Sequence, residues 1–194
     1  MVTRTTGGAG VVGLCLLLVG LAVTPTWAED AFMRLTGSIQ GIIQGDQTPI
    51  NGIANSANQV QVFSTGFSLT NPMSTPGQVL GRPVAGPVSF VKRIDRASPR
   101  MLRAAFTSEA LTAEIVWWMS TNGGVRQTTT LRLDGAFITE IKAAAELNGS
   151  SATGFEEVTL TYQRASLTVP TINAQGQVTG TTSVCLDAVN NRLC

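Results

Sequence analysis

The chain is 194 residues long, carries 13 Lys and Arg against 12 Asp and Glu, and only 13% of it is charged. Near-neutrality removes the field that would recruit nucleic acid or anionic lipid, and the low charge with ample aliphatic content excludes a disordered composition. Histidine is absent, which excludes a Ser-His-Asp or Cys-His relay, a His-ligated zinc and a His-based pH switch.

Residues 1–28 read as a secretory signal peptide. Arg4 supplies a positive start, Gly10–Val23 an uncharged stretch, Pro25 a break, and Thr26, Trp27 and Ala28 a small-x-small cleavage site. An uncleaved anchor is the rival, but this stretch falls short of the roughly 20 residues needed to span hydrocarbon. A lipoprotein start fits less well, because Cys15 follows the bulky Leu14 inside the apolar run. Cleavage removes Arg4 and no acid, leaving a balanced charge that favours self-association. It also leaves Cys185 and Cys194 as the only cysteines. In an oxidising compartment such a pair closes and staples the tail, worth roughly 2–3 kcal/mol for so short a ring. The spacing is not C-x-x-C and Arg192 is the only nearby cation, so a redox-active pair is not indicated.

After the leader, Ala31–Ile39 and Gln59–Leu69 mix Phe, Val, Thr and Leu at alternating positions and are expected to be half-buried strands. Between them, Gly41–Asn58 is rich in turn residues and long enough to be either mobile or used to grip a neighbour. A second loop, Asn71–Pro87, holds four prolines. One helix is expected over about 98–110, with Ser98 as its cap and Pro99 in the first turn. Met101, Leu102, Ala105 and Phe106 are expected on its inner face, with Arg100, Arg103 and Thr107 outside. Strands follow at Thr112–Met119, Val125–Leu133, Ala136–Leu147, Phe155–Val169 and Gln177–Leu186. Hairpin turns are expected at Thr121–Gly124 and Asn173–Gly176, with a longer connection at Asn148–Gly154. The fold class is mainly β: an antiparallel barrel or sandwich of seven to eight strands with one flanking helix. The domain boundaries follow as a leader at 1–28, a β-barrel at 29–170 and a C-terminal extension at 171–194.

Chemistry-bearing residues are few. Lys92, Arg93, Arg96, Arg100 and Arg103 form a basic run that could bind phosphate, but it lacks interleaved aromatics and contains Asp95, so a solvated helix face or a protein interface explains it equally well. Glu140, Glu156 and Glu157 could supply paired carboxylates, although exposed charges blunting a strand edge are the simpler reading. Trp117 and Trp118 point to opposite faces of a strand, one inward and one to the surface. No nucleophile elbow or phosphate-binding glycine loop is present. No enzyme, metal or cofactor is indicated.

The stretch Phe90–Leu102, with Lys92, Ile94, Asp95, Ser98 and Pro99 in the pattern F-x-K-x-I-D-x-x-S-P, resembles the signature of the haemolysin-coregulated (Hcp) family, the tube protein of bacterial type VI secretion. Ala31–Gly41 is similar to that family's opening strand, and Glu156, Val158, Leu160 and Tyr162 to its late E-x-V-x-F-x-Y strand. The resemblance covers about Ala31–Val169. It implies a β-barrel assembling into hexameric rings that stack into a tube, with a spike protein and effector cargo as further partners and no catalysis. It also implies that Gly45, Asp46, Thr48 and Asn51, in the early loop, contribute to assembly. Neither nucleic acid nor stable membrane insertion after leader cleavage is expected. The leader and the cysteine-bearing tail depart from the family pattern and agree with each other in pointing to an exported, periplasmic or extracellular protein. An exported monomeric binding module that no longer forms a tube is the alternative.

Overall fold

The computed structural model describes residues 29–53, 56–75, 77–121, 124–148, 151–173 and 177–194. The expected leader at 1–28 and the turn centres at 122–123 and 174–176 lie outside them. The described elements, in chain order, are β1 (Glu29–Gly37), β2 (Gly41–Ile43), β3 (Val60–Val62), β4 (Ser64–Gly66), β5 (Leu69–Thr70), β6 (Val84–Ala85), β7 (Val88–Arg93), α1 (Ser98–Phe106), β8 (Leu111–Thr121), β9 (Gly124–Asn148), β10 (Ser151–Thr161), β11 (Arg164–Ile172), β12 (Val178–Asp187) and β13 (Arg192–Leu193).

All pairings are antiparallel. The main path runs β13-β12-β11-β9-β10-β7-β4, with β8 joining β9 to β1. The sheet is not one closed ladder. Its two arms are bridged by Val60–Gly66, which pairs with β1 through β3 and with β7 through β4. At the crossing, the Phe63 N–H donates to the Val91 carbonyl at 2.8 Å. The core lies between these arms, built from Met33, Leu35, Phe90, Ile115, Leu133, Val158 and Leu160. Alternation explains the choice: on β7, Val88, Phe90 and Lys92 turn inward while their neighbours do not.

Strand boundaries differ from the sequence expectation in a consistent way. Val125–Leu133 and Ala136–Leu147 are one strand, β9, continuous through Gly135, which takes a left-handed φ of 59°. Phe155–Val169 is broken after Thr161 into β10 and β11, and the Gln163 N–H donates back to the Asp134 and Gly135 carbonyls. A Cβ at Gly135 would sit 2.7 Å from the Gln163 side chain, so glycine lets the two bends nest. The connection expected at Asn148–Gly154 is mostly strand. Asn71–Pro87 forms an arm based on the β5–β6 pair rather than a plain loop. Short pieces of this kind raise the count beyond seven or eight strands.

The helix is shorter than expected. It stops at Phe106 because Ser108 adopts a left-handed φ of 50° and the Glu109 N–H returns to the Ala104 carbonyl. Its inner face also differs: Ala97, Met101 and Ala104 enter the core, while Leu102 and Phe106 face outward, 62% and 92% exposed. At the C-terminus, β12 lies along β11 from Arg164–Asp187 to Ile172–Val178, so the tail's strand continues the main sheet.

Candidate functional site: a buried lysine clamp and an exposed helix

Strand alternation carries Lys92 into the interior, where its side chain is fully buried. Register sets Glu156 of β10 directly opposite. The ammonium Nζ lies 2.6 Å from Glu156 Oε1, 2.7 Å from Asp95 Oδ1, 2.9 Å from Ser98 Oγ and 2.6 Å from the Arg93 carbonyl. Ser98 Oγ donates to Glu156 Oε1 at 2.8 Å and accepts the Asp95 N–H at 3.1 Å. Asp95 Oδ1 accepts the Ala97 N–H at 2.9 Å.

Two expectations are corrected here. Ser98 does not cap the helix: Ala97 holds that position without a side-chain bond, and the hydroxyl of Ser98 is engaged by the ion cluster. Glu156 is not an exposed edge charge but a buried carboxylate paired with Lys92. Desolvating this cation is costly, and its stability depends on the surrounding oxygens being in place. The cluster therefore pins β7, β10 and the start of α1 to one another. It contains no nucleophile paired with a free base.

A second buried carboxylate, Glu109, was not singled out in the sequence. Its Oε1 accepts the Ile39 and Gln40 N–H groups at 2.6 and 2.7 Å, and its Oε2 accepts from Gln40 Nε2 at 2.7 Å. Burial pushes its pKa upward, but the backbone and side-chain bonds from Gln40, the Ile39 N–H and the Arg103 charge together leave it below the ordinary glutamate value. A Cβ on Gly37 would collide with this carboxylate. Glu109 thus fixes the β1–β2 turn beside the helix, where Gln40 Nε2 also donates to the Arg100 carbonyl and Arg100 donates to the Ile42 carbonyl.

The basic run is not one patch. Lys92 is internal, Arg93 stacks over Phe63 at 5.4 Å, and Arg100 is held by the β1–β2 turn. Arg96 ties down the early loop by donating to the Gly45 carbonyl at 2.7 Å and to Asn58 Oδ1 at 2.6 Å, with Asp46 at 3.3 Å. Gly45 is closely enclosed, since a Cβ there would lie 2.4 Å from the Gln59 carbonyl. Among the four loop residues implied in assembly, Gly45 is thus buried, while Asp46, Thr48 and Asn51 remain exposed. Glu140 is exposed and pairs with Lys142 at 2.9 Å, and Glu157 is also exposed, so the three glutamates form no common cleft. Trp117 packs against the core margin, and Trp118 is half-buried. Cys185 and Cys194 are disulfide-bonded, with Cα atoms 5.3 Å apart. Among the described residues, no group of three Cys, Asp or Glu could hold a metal ion, and no helix is long and apolar enough to cross a membrane.

Residues 32–169 match the family model described as "Type VI secretion system effector, Hcp". The chain belongs to the Hcp family. An Hcp-family relative from Pseudomonas aeruginosa, "Major exported protein", is 30% identical over 155 residues, covering 73% of this chain and 89% of the relative. The solved structure of "Secreted protein Hcp3 from Pseudomonas aeruginosa" is 27% identical, with a TM-score of 0.57, covering 80% of this chain and 97% of that one. Another, "Crystal structure of Hcp protein", shares the fold at 24% identity and a TM-score of 0.68, covering 82% and 99%. The Lys92 cluster therefore gives the Hcp signature its physical content: Lys92, Asp95 and Ser98 converge with Glu156 from the late strand. In the linear sequence Lys92 sits in a basic run, and the alternation of Val88, Phe90 and Lys92 along β7 is what turns the lysine inward. Nothing comparable marked Glu109, whose partners lie 69 and 70 residues away.

Proposed function

We propose that this type VI secretion Hcp protein is an exported structural subunit that closes into hexameric rings, which stack into a tube with a spike protein and effectors as partners. The leader of residues 1–28, the barrel of 29–170 and the stapled extension of 171–194 serve as its three parts. Export is supported by the leader-like start and by the exported relative. One observation carries the assembly reading. Phe106 and Leu102 stand one turn apart on the only described helix, unburied, while Ile39 and Ile42 are exposed on the turn bonded to that helix. Apolar side chains grouped on mutually braced elements mark a contact surface rather than scattered surface hydrophobics. A heterologous contact of this kind closes into a ring when its rotation permits. Gly45, Asp46, Thr48 and Asn51 lie in a loop braced by Arg96, which presents its exposed members in a defined position to a neighbour.

Native mass spectrometry and negative-stain imaging of the protein expressed as the full chain test this. Rings of six are expected, and Phe106→Asp is expected to dissociate them without lowering thermal stability, because the ring of Phe106 touches little in its own chain. A stable monomer at high concentration would remove the assembly reading and leave the monomeric binding module.

A further inference from the structure

The bond that the leader reading cuts, after Ala28, has no slack on its far side. β1 starts at Glu29, the first residue beyond that bond, and pairs with β8 from there on: Glu29 lies opposite Met119, Asp30 opposite Trp118 and Ala31 opposite Trp117. From Ala31 the strand is held on its other edge too, by β3, with Ala31 opposite Val62, Phe32 opposite Gln61 and Met33 opposite Val60. Phe32 and Met33 are fully buried, and Ala31 is nearly so. Only Glu29 and Asp30 separate the bond from a strand that is paired on both edges and packed in the interior.

A protease takes its substrate as an extended, unpaired chain, because its own cleft must supply partners for backbone groups on both sides of the bond. In the folded barrel β8 already holds those of Glu29 and Asp30. Fraying frees these two, since strand ends open at little cost. It does not free Ala31 or Phe32, which leave the ladder only when β3 lets go and a phenylalanine is drawn out of the interior; that is an opening of the barrel, not of an end. Sterics act in the same direction. Two residues of strand span only about 7 Å, so an enzyme gripping the bond meets the rim of the barrel.

We infer that folding of β1 closes the cleavage site of the leader, so that the leader is removed before the barrel forms or not at all. This rests on the leader of the proposed function and adds an order of events to it. The step is hydrolysis of the amide between residues 28 and 29, water dividing into the Ala28 carboxylate and the Glu29 α-ammonium. A chain that crosses the export machinery unfolded is cut and then folds. A chain that folds first keeps its leader, and folded subunits are not trimmed afterwards. The register of β1 thus sorts the product into two populations, one processed and exported, the other unprocessed and retained.

The full chain, leader included, treated in detergent micelles with a bacterial signal peptidase, tests this. One sample is folded beforehand, and a second is diluted from urea straight into the enzyme. The third is a folded variant with Glu-Asp-Gly-Ser-Gly-Ser inserted between Ala28 and Glu29, which repeats the native residues after the bond and adds about 20 Å of chain before β1. Tryptophan fluorescence checks that the first and third are folded. The folded native chain is expected to be cut at least about tenfold more slowly than either of the others, because cleavage then waits on the rare opened state. N-terminal sequencing is expected to give Glu-Asp at each new end. Equal rates for the folded native chain and the spacer variant would overturn the inference while leaving the leader reading in place. If the urea-diluted chain is not cut at all, the leader reading fails and takes this inference with it.

Discussion

Replacing Lys92 with methionine keeps most of the side-chain volume and removes the charge. In the native structure this leaves Glu156, only 4% exposed, facing an apolar side chain in place of the ammonium 2.6 Å away. Ser98 still donates to Glu156, but Asp95 and the Arg93 carbonyl lose the same donor. Breaking a buried pair from one side costs about 3–5 kcal/mol, because the remaining charge stays desolvated. For a domain of this size, roughly 2–4 °C per kcal/mol converts that to a melting temperature about 10 °C lower. Removing both charges has a different consequence. Lys92→Met combined with Glu156→Leu is expected to recover at least about 2 kcal/mol relative to Lys92→Met alone, since apolar replacement of both partners lifts the desolvation penalty. Asp95 keeps the Ala97 N–H, 2.9 Å from its Oδ1, in both variants. Urea denaturation followed by tryptophan fluorescence, with circular dichroism as a second probe, measures all three proteins. A cost below about 1 kcal/mol for Lys92→Met, or an additive double variant, would refute the view that the cluster acts as one clamp.

Glu109 has a pKa below the ordinary value of 4.5, so its contribution is present above that value and is lost as pH falls through the lower, folded-state one. Glu109→Gln is expected to cost about 2 kcal/mol at neutral pH and to flatten the acid limb of the stability profile; unchanged acid dependence in urea titrations from pH 3 to 7 would count against the assignment. Reduction of Cys185–Cys194, or the double serine variant, is expected to lower stability by at most about 3 kcal/mol. Hydrogen exchange should show its largest increase at residues 185 and 187, whose backbone groups face β13 and the Cys194 end of the chain.

How much of this was legible follows from the range of the forces involved. The signature stretch Phe90–Leu102, the late strand from Glu156 and the opening strand carried the family, because side-chain alternation and turn chemistry are local and survive in a linear reading. The cysteine pair was legible too, since nine residues is a short loop to close. The strand count was not. Gly135 permits continuation as readily as a turn, and only its contact with Gln163 decided that β9 runs through while β10 and β11 part. The helix shows the same limit. Its periodicity offered two adjacent apolar stripes, and the position of β9 beneath it selected Met101 and Ala104, leaving Leu102 and Phe106 outside. Composition and local pattern thus determined by themselves that the chain is mainly β with one helix, while the family was carried by the resemblance of the signature residues at Phe90–Leu102 and Glu156–Tyr162. Which carboxylates are buried, and which apolar groups remain uncovered, was decided by tertiary packing, because both depend on partners tens of residues distant that no local pattern encodes.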